Sequence, residues 1–217
     1  MGYHRILGGL NPEEAFVCQI SDSTRLEQWV AQLASLPVTA KEQHWCAMCC
    51  VRSLLIADGL DAPSLEELFD RACAAGVYRE DAEIGWRGAY HHELAEFVST
   101  LHPQGANAVR GMSTVHNGPR GFSLGQYIGF GHYVLLSVHP DIRLRSNEPV
   151  PVKRGHFVFI YGFRVMNGTE YFVLHNPAGF ATESSQIGML VSSERLIQVS
   201  DGDGIVVLNR GARPRLW

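Results

Sequence analysis

Residues 42–59, EQHWCAMCCVRSLLIADG, constrain the chain most, because they read as one buried helix that opens on a thiol. From Cys46 onward, Ala47, Cys50, Val51, Leu54 and Leu55 recur at helical spacing and form one apolar face. Gly59 supplies a stop, while Arg52, Ser53 and Asp58 fall mostly off that face. Unpaired N–H groups and the positive end of the dipole at a helix start favour an anion, so a thiol at the position of Cys46 can have its pKa lowered. The same N–H groups can receive an oxyanion developing on an attacked carbonyl, and a neighbouring base would complete the chemistry.

The segments around this helix are also mainly helical. A short strand is expected at 15–20, and Asp22 or Ser23 caps a helix through Leu26, Trp29, Val30 and Leu33 that Pro37 closes. Pro63-Ser64 starts another, carrying Leu65, Leu68, Phe69, Ala72 and Cys73 and ending near Gly76. A third, about 91–101, aligns Leu94, Phe97, Val98 and Leu101. After Pro103 the pattern changes to a short strand near 106–110, a Gly-, Pro- and Asn-rich run to Phe122, and a brief helix at 124–130. Strand-forming runs then follow at 132–138, 156–163, 170–177 and 204–209. Asn167-Gly168 is a tight-turn pair that joins the middle two as a hairpin. The expected class is α+β, with helices first and an antiparallel sheet of at least four strands after them. At 217 residues and 46% hydrophobic the chain suits a single domain, 1–217, with a helical lobe to about 105 and a sheet lobe from about 106.

Charge and punctuation exclude several classes of partner. A formal net charge of −4 offers no electrostatic case for nucleic acid or an anionic membrane surface. No apolar run is long enough to span a bilayer, and the start MGYHRILGGLNPEE lacks the charged and apolar regions of a secretion signal. Ile6 stands where a myristoylation motif needs Ser or Thr, so a cytoplasmic chain is expected. Five cysteines, with Cys46, Cys49 and Cys50 crowded together, do not form a disulfide framework and fit a reducing compartment.

His156 opens the most apolar strand, with Val158 and Ile160 on its face, and Asn176 closes the next strand of the hairpin. A turn at Asn167-Gly168 sets Asn176 near the level of residues 158–160, towards the His156 end. Cys at a helix start, His on a strand and Asn one strand over follow the chain order of nucleophile, base and orienter. On these residues the chain resembles the papain-like cysteine peptidases, in particular those related to the bacteriocin-processing, leader-cleaving peptidases. The matching motifs are Cys46-Ala-Met-Cys-Cys50, Gly155-His156-Phe-Val158-Phe-Ile160 and Asn176-Pro177. Gly85-Trp86 with His91/His92 and Leu94, and the strand Gly131–Val138, resemble further family segments, so that the likeness covers roughly residues 40–180. Ala47 departs from the family's usual Gly.

The resemblance implies a two-lobe papain-like fold and a peptide or protein substrate, with no cofactor and no metal. Cys46 would attack an acyl carbonyl, His156 would take and return the proton, and Asn176 would hold the imidazole. The Cys46 N–H and the Gln43 amide would receive the oxyanion. The family's glutamine commonly lies six residues before the nucleophile; counting back six from Cys49 reaches Gln43, which leaves Cys49 as an alternative nucleophile. The same triad with an amine acceptor would make an acyltransferase or peptide ligase, and a catalytically inert relative would bind peptides. A zinc site is a different class, for which His44, Cys46, Cys49 and Cys50 with His91-His92 supply ligands. His91 and His92 either line the cleft or start a surface helix, and the 141–154 loop is either a flap or a connection.

Overall fold

The computed structural model describes residues 4–6, 15–17, 44–83, 85–113, 123–143, 150–178 and 186–208. The helix expected at 23–36 and residues 18–20 of the expected 15–20 strand lie outside them. Residues 15–17 are not in a strand; Ala15 and Val17 are buried, and the Val17 N–H donates to the buried Ser53 hydroxyl at 3.1 Å.

Three helices form the first part of the described chain: α1 (Cys46–Ala57), α2 (Leu65–Ala74) and α3 (His91–Leu101). Cys46 is the first helical residue, and the helix buries Ala47, Met48, Cys49, Cys50, Val51, Ser53, Leu54, Leu55 and Ala57. It ends because Gly59, at φ 69°, turns the chain so that its N–H reaches the Ile56 carbonyl and the Leu60 N–H reaches that of Leu55. The Ser64 hydroxyl caps α2 by accepting from the Glu67 N–H at 3.2 Å.

Among the described residues, nine strands follow or precede these helices. β1 (His4–Ile6), β4 (Ala106–Val109), β5 (Tyr133–Val138), β6 (His156–Met166), β7 (Thr169–His175), β8 (Met189–Ser192) and β9 (Gly204–Val207) form one seven-stranded antiparallel sheet. Its order is β4-β9-β5-β6-β7-β8, with β1 on the distal half of β6. β2 (Arg79–Asp81) and β3 (Gly85–Arg87) make a separate hairpin. Short helices α4 (Leu124–Gly129) and α5 (Ser193–Val199), each capped by a serine hydroxyl, from Ser123 and Ser192, and a 3-10 turn at Pro140–Arg143 complete the elements among the described residues.

The β6–β7 hairpin turns at Asn167-Gly168, both at positive φ, as a two-residue turn requires. Its register sets Phe159 opposite His175, with an irregularity between Ile160 and Gly162. On the other side of β6, Val138 faces His156 and Val134 faces Ile160. β5 and the first seven residues of β6 are buried, as befits the middle of a sheet that α1 covers. One continuous apolar cluster runs from α1 and α2 through α3 into β5, β6, β7 and β9. Among the described residues, no helix is long and apolar enough to cross a membrane.

Candidate active site

α1 abuts β6, which carries the start of the helix to the start of the strand. Trp45, the residue before α1, has no side-chain cap, and the first turn holds no acidic residue. Its free N–H groups serve the sulfur instead: those of Cys46 and Ala47, together with the Phe157 N–H from β6, bond the Cys46 thiol. Three donors favour the anion, yet burial opposes it more strongly and the Cys46 pKa is pushed up to about 11. The lowered pKa that the helix start alone allows is therefore not realised. Desolvation outweighs the N–H groups, so an ionised sulfur here needs a positive charge beside it.

His156 and Asn176 are brought into contact. His156 Nε2 lies 2.7 Å from Asn176 Oδ1, a diagonal reach across the hairpin that the register alone left open. His156 is 5% exposed and Asn176 is sealed completely. The Ala178 N–H also donates to Asn176 Oδ1, at 3.1 Å. A backbone N–H can only donate, which identifies that atom as the oxygen, and the imidazole nitrogen facing it must then carry the hydrogen. In the neutral ring the lone pair accordingly resides on Nδ1. Asn176 lies just past the end of β7, with its own N–H donated to the Gln186 carbonyl at 2.9 Å, so the segment before β8 fixes its backbone.

The remaining candidates are sorted by the fold. Gln43 lies outside the described residues. Cys49 and Cys50 are buried inside α1, whereas Cys46 keeps part of its surface open. Among the described residues, no three His, Cys, Asp or Glu side chains are grouped so as to hold a metal ion. His91 and His92 part company: the His91 ring packs on that of Phe157 with centroids 5.3 Å apart, while His92 points to solvent beside Glu96 at 3.4 Å. Trp86 meets Phe69 edge to face, Phe69 also meets Trp45 and Tyr78, and the Tyr78 hydroxyl donates to the His44 carbonyl at 3.0 Å. This aromatic group fixes the lead-in to Cys46. Sequence reasoning missed Phe157, whose contribution is a backbone N–H and so leaves no residue signature.

A scan against protein-family models finds no match, and neither does a search of curated proteins. Among solved structures, digestive procathepsin L 3 of the Tenebrio molitor larval midgut matches at 13% identity, with 90% of this chain and 75% of that one covered and a TM-score of 0.49. Overlap of that size does not assign a shared fold.

Proposed function

We propose that the chain is a papain-like cysteine peptidase, acting on a peptide or protein substrate through Cys46, His156 and Asn176. The observation that carries this reading is the 2.7 Å bond between His156 and Asn176 on the strand whose next N–H, that of Phe157, holds the Cys46 sulfur. In the reaction, Cys46 Sγ attacks the carbonyl carbon while its proton passes to His156 Nδ1. The tetrahedral oxyanion is received by N–H groups at the start of α1, with Gln43 as a further donor. The imidazolium returns the proton to the leaving nitrogen as the C–N bond breaks, leaving a thioester on Cys46. Water, deprotonated by His156, then releases the acid and restores the thiol. An amine in place of water would make the same site an acyltransferase.

Helices to about 105 and sheet from about 106 would form two lobes with the cleft between them, and the closer kinship to leader-cleaving peptidases rests on the order of the Cys46, Gly155-His156 and Asn176-Pro177 motifs. The chemistry suits a reducing cytoplasm, with Cys46, Cys49, Cys50 and Cys73 present as free thiols.

The test is acid-quench mass spectrometry with a mixture of short peptides, run on wild type and Cys46→Ala with folding checked by circular dichroism. An acyl adduct mapped to Cys46, and cleavage absent from the variant, supports the peptidase. Cleavage that survives in Cys46→Ala overturns it.

A further inference from the structure

A cavity of about 580 Å³ opens beside the proposed site, walled by His91, Arg110, Ser137, Arg154 and Asp203 among others. Phe157 joins the two places. Its N–H holds the Cys46 sulfur, its ring packs on His91 at 5.3 Å, and its strand partner is Ser137. Arg154 lies two residues before His156. A side chain borne by an extended peptide at Cys46 therefore needs only about one or two residues, at roughly 3.3 Å each, to enter the cavity.

The charges in the wall are unevenly satisfied. Lys153 donates to the Ile197 carbonyl at 2.6 Å and sits 4.0 Å from Asp201, and Asp203 accepts from the Gly111 N–H at 2.9 Å. Among the described residues, Arg110 and Arg154 have neither an ion pair nor a hydrogen bond, and the buried His91 Nε2 also has no hydrogen-bond partner. Burial lowers the His91 pKa, with Asp203 raising and Arg110 lowering it, so the ring adds no charge of its own at neutral pH and both neighbours are close to it. Two unmatched guanidiniums at the mouth of a polar cavity suit a carboxylate.

We propose that this cavity is a specificity subsite, in which Arg110 and Arg154 bind a carboxylate of the peptide substrate, an Asp or Glu side chain near the bond presented to Cys46. The proposal rests on the peptidase reading for its connection to Cys46, whereas the binding itself does not. Each exposed ion pair is worth up to about fivefold in affinity, and two together about tenfold at low salt.

The experiment compares acetyl-Gly-Gly-Glu-Gly-Gly-amide with its Gln twin, using two readouts on the full chain. One is protection of Arg110 and Arg154 from phenylglyoxal; the other is protection of Cys46 from iodoacetamide, both mapped by mass. The Glu peptide is expected to protect both arginines and the thiol at about tenfold lower concentration than the Gln peptide. That advantage should shrink with added salt and vanish in R110Q/R154Q. A third probe, pentaglycine with a free carboxylate, matching the Glu peptide would assign the same pocket to a chain end. Equal protection by the Glu and Gln peptides overturns the proposal, and so does arginine protection that leaves Cys46 open. The arginine readout decides the pocket even where Cys46 labelling proves independent of His156, which would instead overturn the peptidase reading.

Discussion

The two ends of α1 each meet a buried histidine whose Nε2 contacts a side-chain oxygen, and only one of the pairs sits beside a thiol. At the start of the helix, His156 contacts Asn176 at 2.7 Å; at its end, His102 contacts Asp58 at 2.8 Å. His102 follows α3, Asp58 caps α1, and the Tyr133 hydroxyl of β5 donates to the other Asp58 oxygen at 3.4 Å, so this second pair ties three elements together. His102 Nδ1 is occupied as well, accepting from the Gln104 N–H at 3.4 Å. A short histidine–oxygen contact is thus a structural clasp at one end and a proposed catalytic device at the other. What separates them is the neighbour, a backbone N–H for His102 and the Cys46 sulfur held one residue from His156.

The sharpest way to break that contrast is to exchange the two histidines' consequences. His156→Ala is expected to lower kcat/KM by about a thousandfold, as for loss of a general base, while costing about 1–2 kcal/mol for the buried ring and the hydrogen bond that Asn176 loses. Steady-state assays beside thermal melts check both halves. His102→Ala should do the converse. It leaves Asp58 without its buried partner and costs about 2–3 kcal/mol, discounted for the partial exposure of the carboxylate, with kcat unchanged in the folded fraction. A melting point lowered by about 5–10 °C would be the sign of this.

Alkaline titration reaches both ends at once. Burial raises the proton affinity of Cys46 at one end, and burial with the Asp58 charge raises that of Tyr133 at the other. The native state therefore holds protons that the unfolded chain has released. Stability is full below the ordinary cysteine and tyrosine pKa values and falls as pH rises beyond about 9, at up to about 1.4 kcal/mol per pH unit for each such group. Chemical denaturation at pH 7, 9 and 10 measures the slope; a flat profile would contradict the burial of these groups. Tyr133→Phe should flatten part of that slope, and at neutral pH it should cost only about 0.5–1 kcal/mol, because the bond it removes is long.

Legibility in the sequence followed the range of the signal. α1 could be bounded from Cys46 and Gly59, and the β6–β7 register from Asn167-Gly168, because both are set by residues a few positions apart. That register brought Asn176 near His156 but could not supply the contact, which depends on a diagonal reach and on the Ala178 N–H that orients the amide. β8 and α5 went unread, since four residues and seven are too few for either periodicity to declare itself. The three-residue strands β1, β2 and β3 escaped for the same reason. The rise in the sulfur's pKa is not legible in the chain, because helix position is visible in a sequence and burial is not. Arg110 and Arg154 lie far apart in the chain, and only the fold sets them on one cavity.

The most direct measurement is the rate of Cys46 alkylation by iodoacetamide from pH 5 to 9, on wild type and His156→Ala, with the modified residue mapped by mass. Standing alone with a pKa of about 11, the thiol would be roughly one part in a thousand ionised at pH 8. If His156 is its base, wild-type Cys46 reacts at least about tenfold faster than Cys46 in His156→Ala through pH 7–8, and ahead of the buried Cys49 and Cys50. Equal rates in the two proteins, rising only towards pH 9, would contradict the pairing of Cys46 with His156.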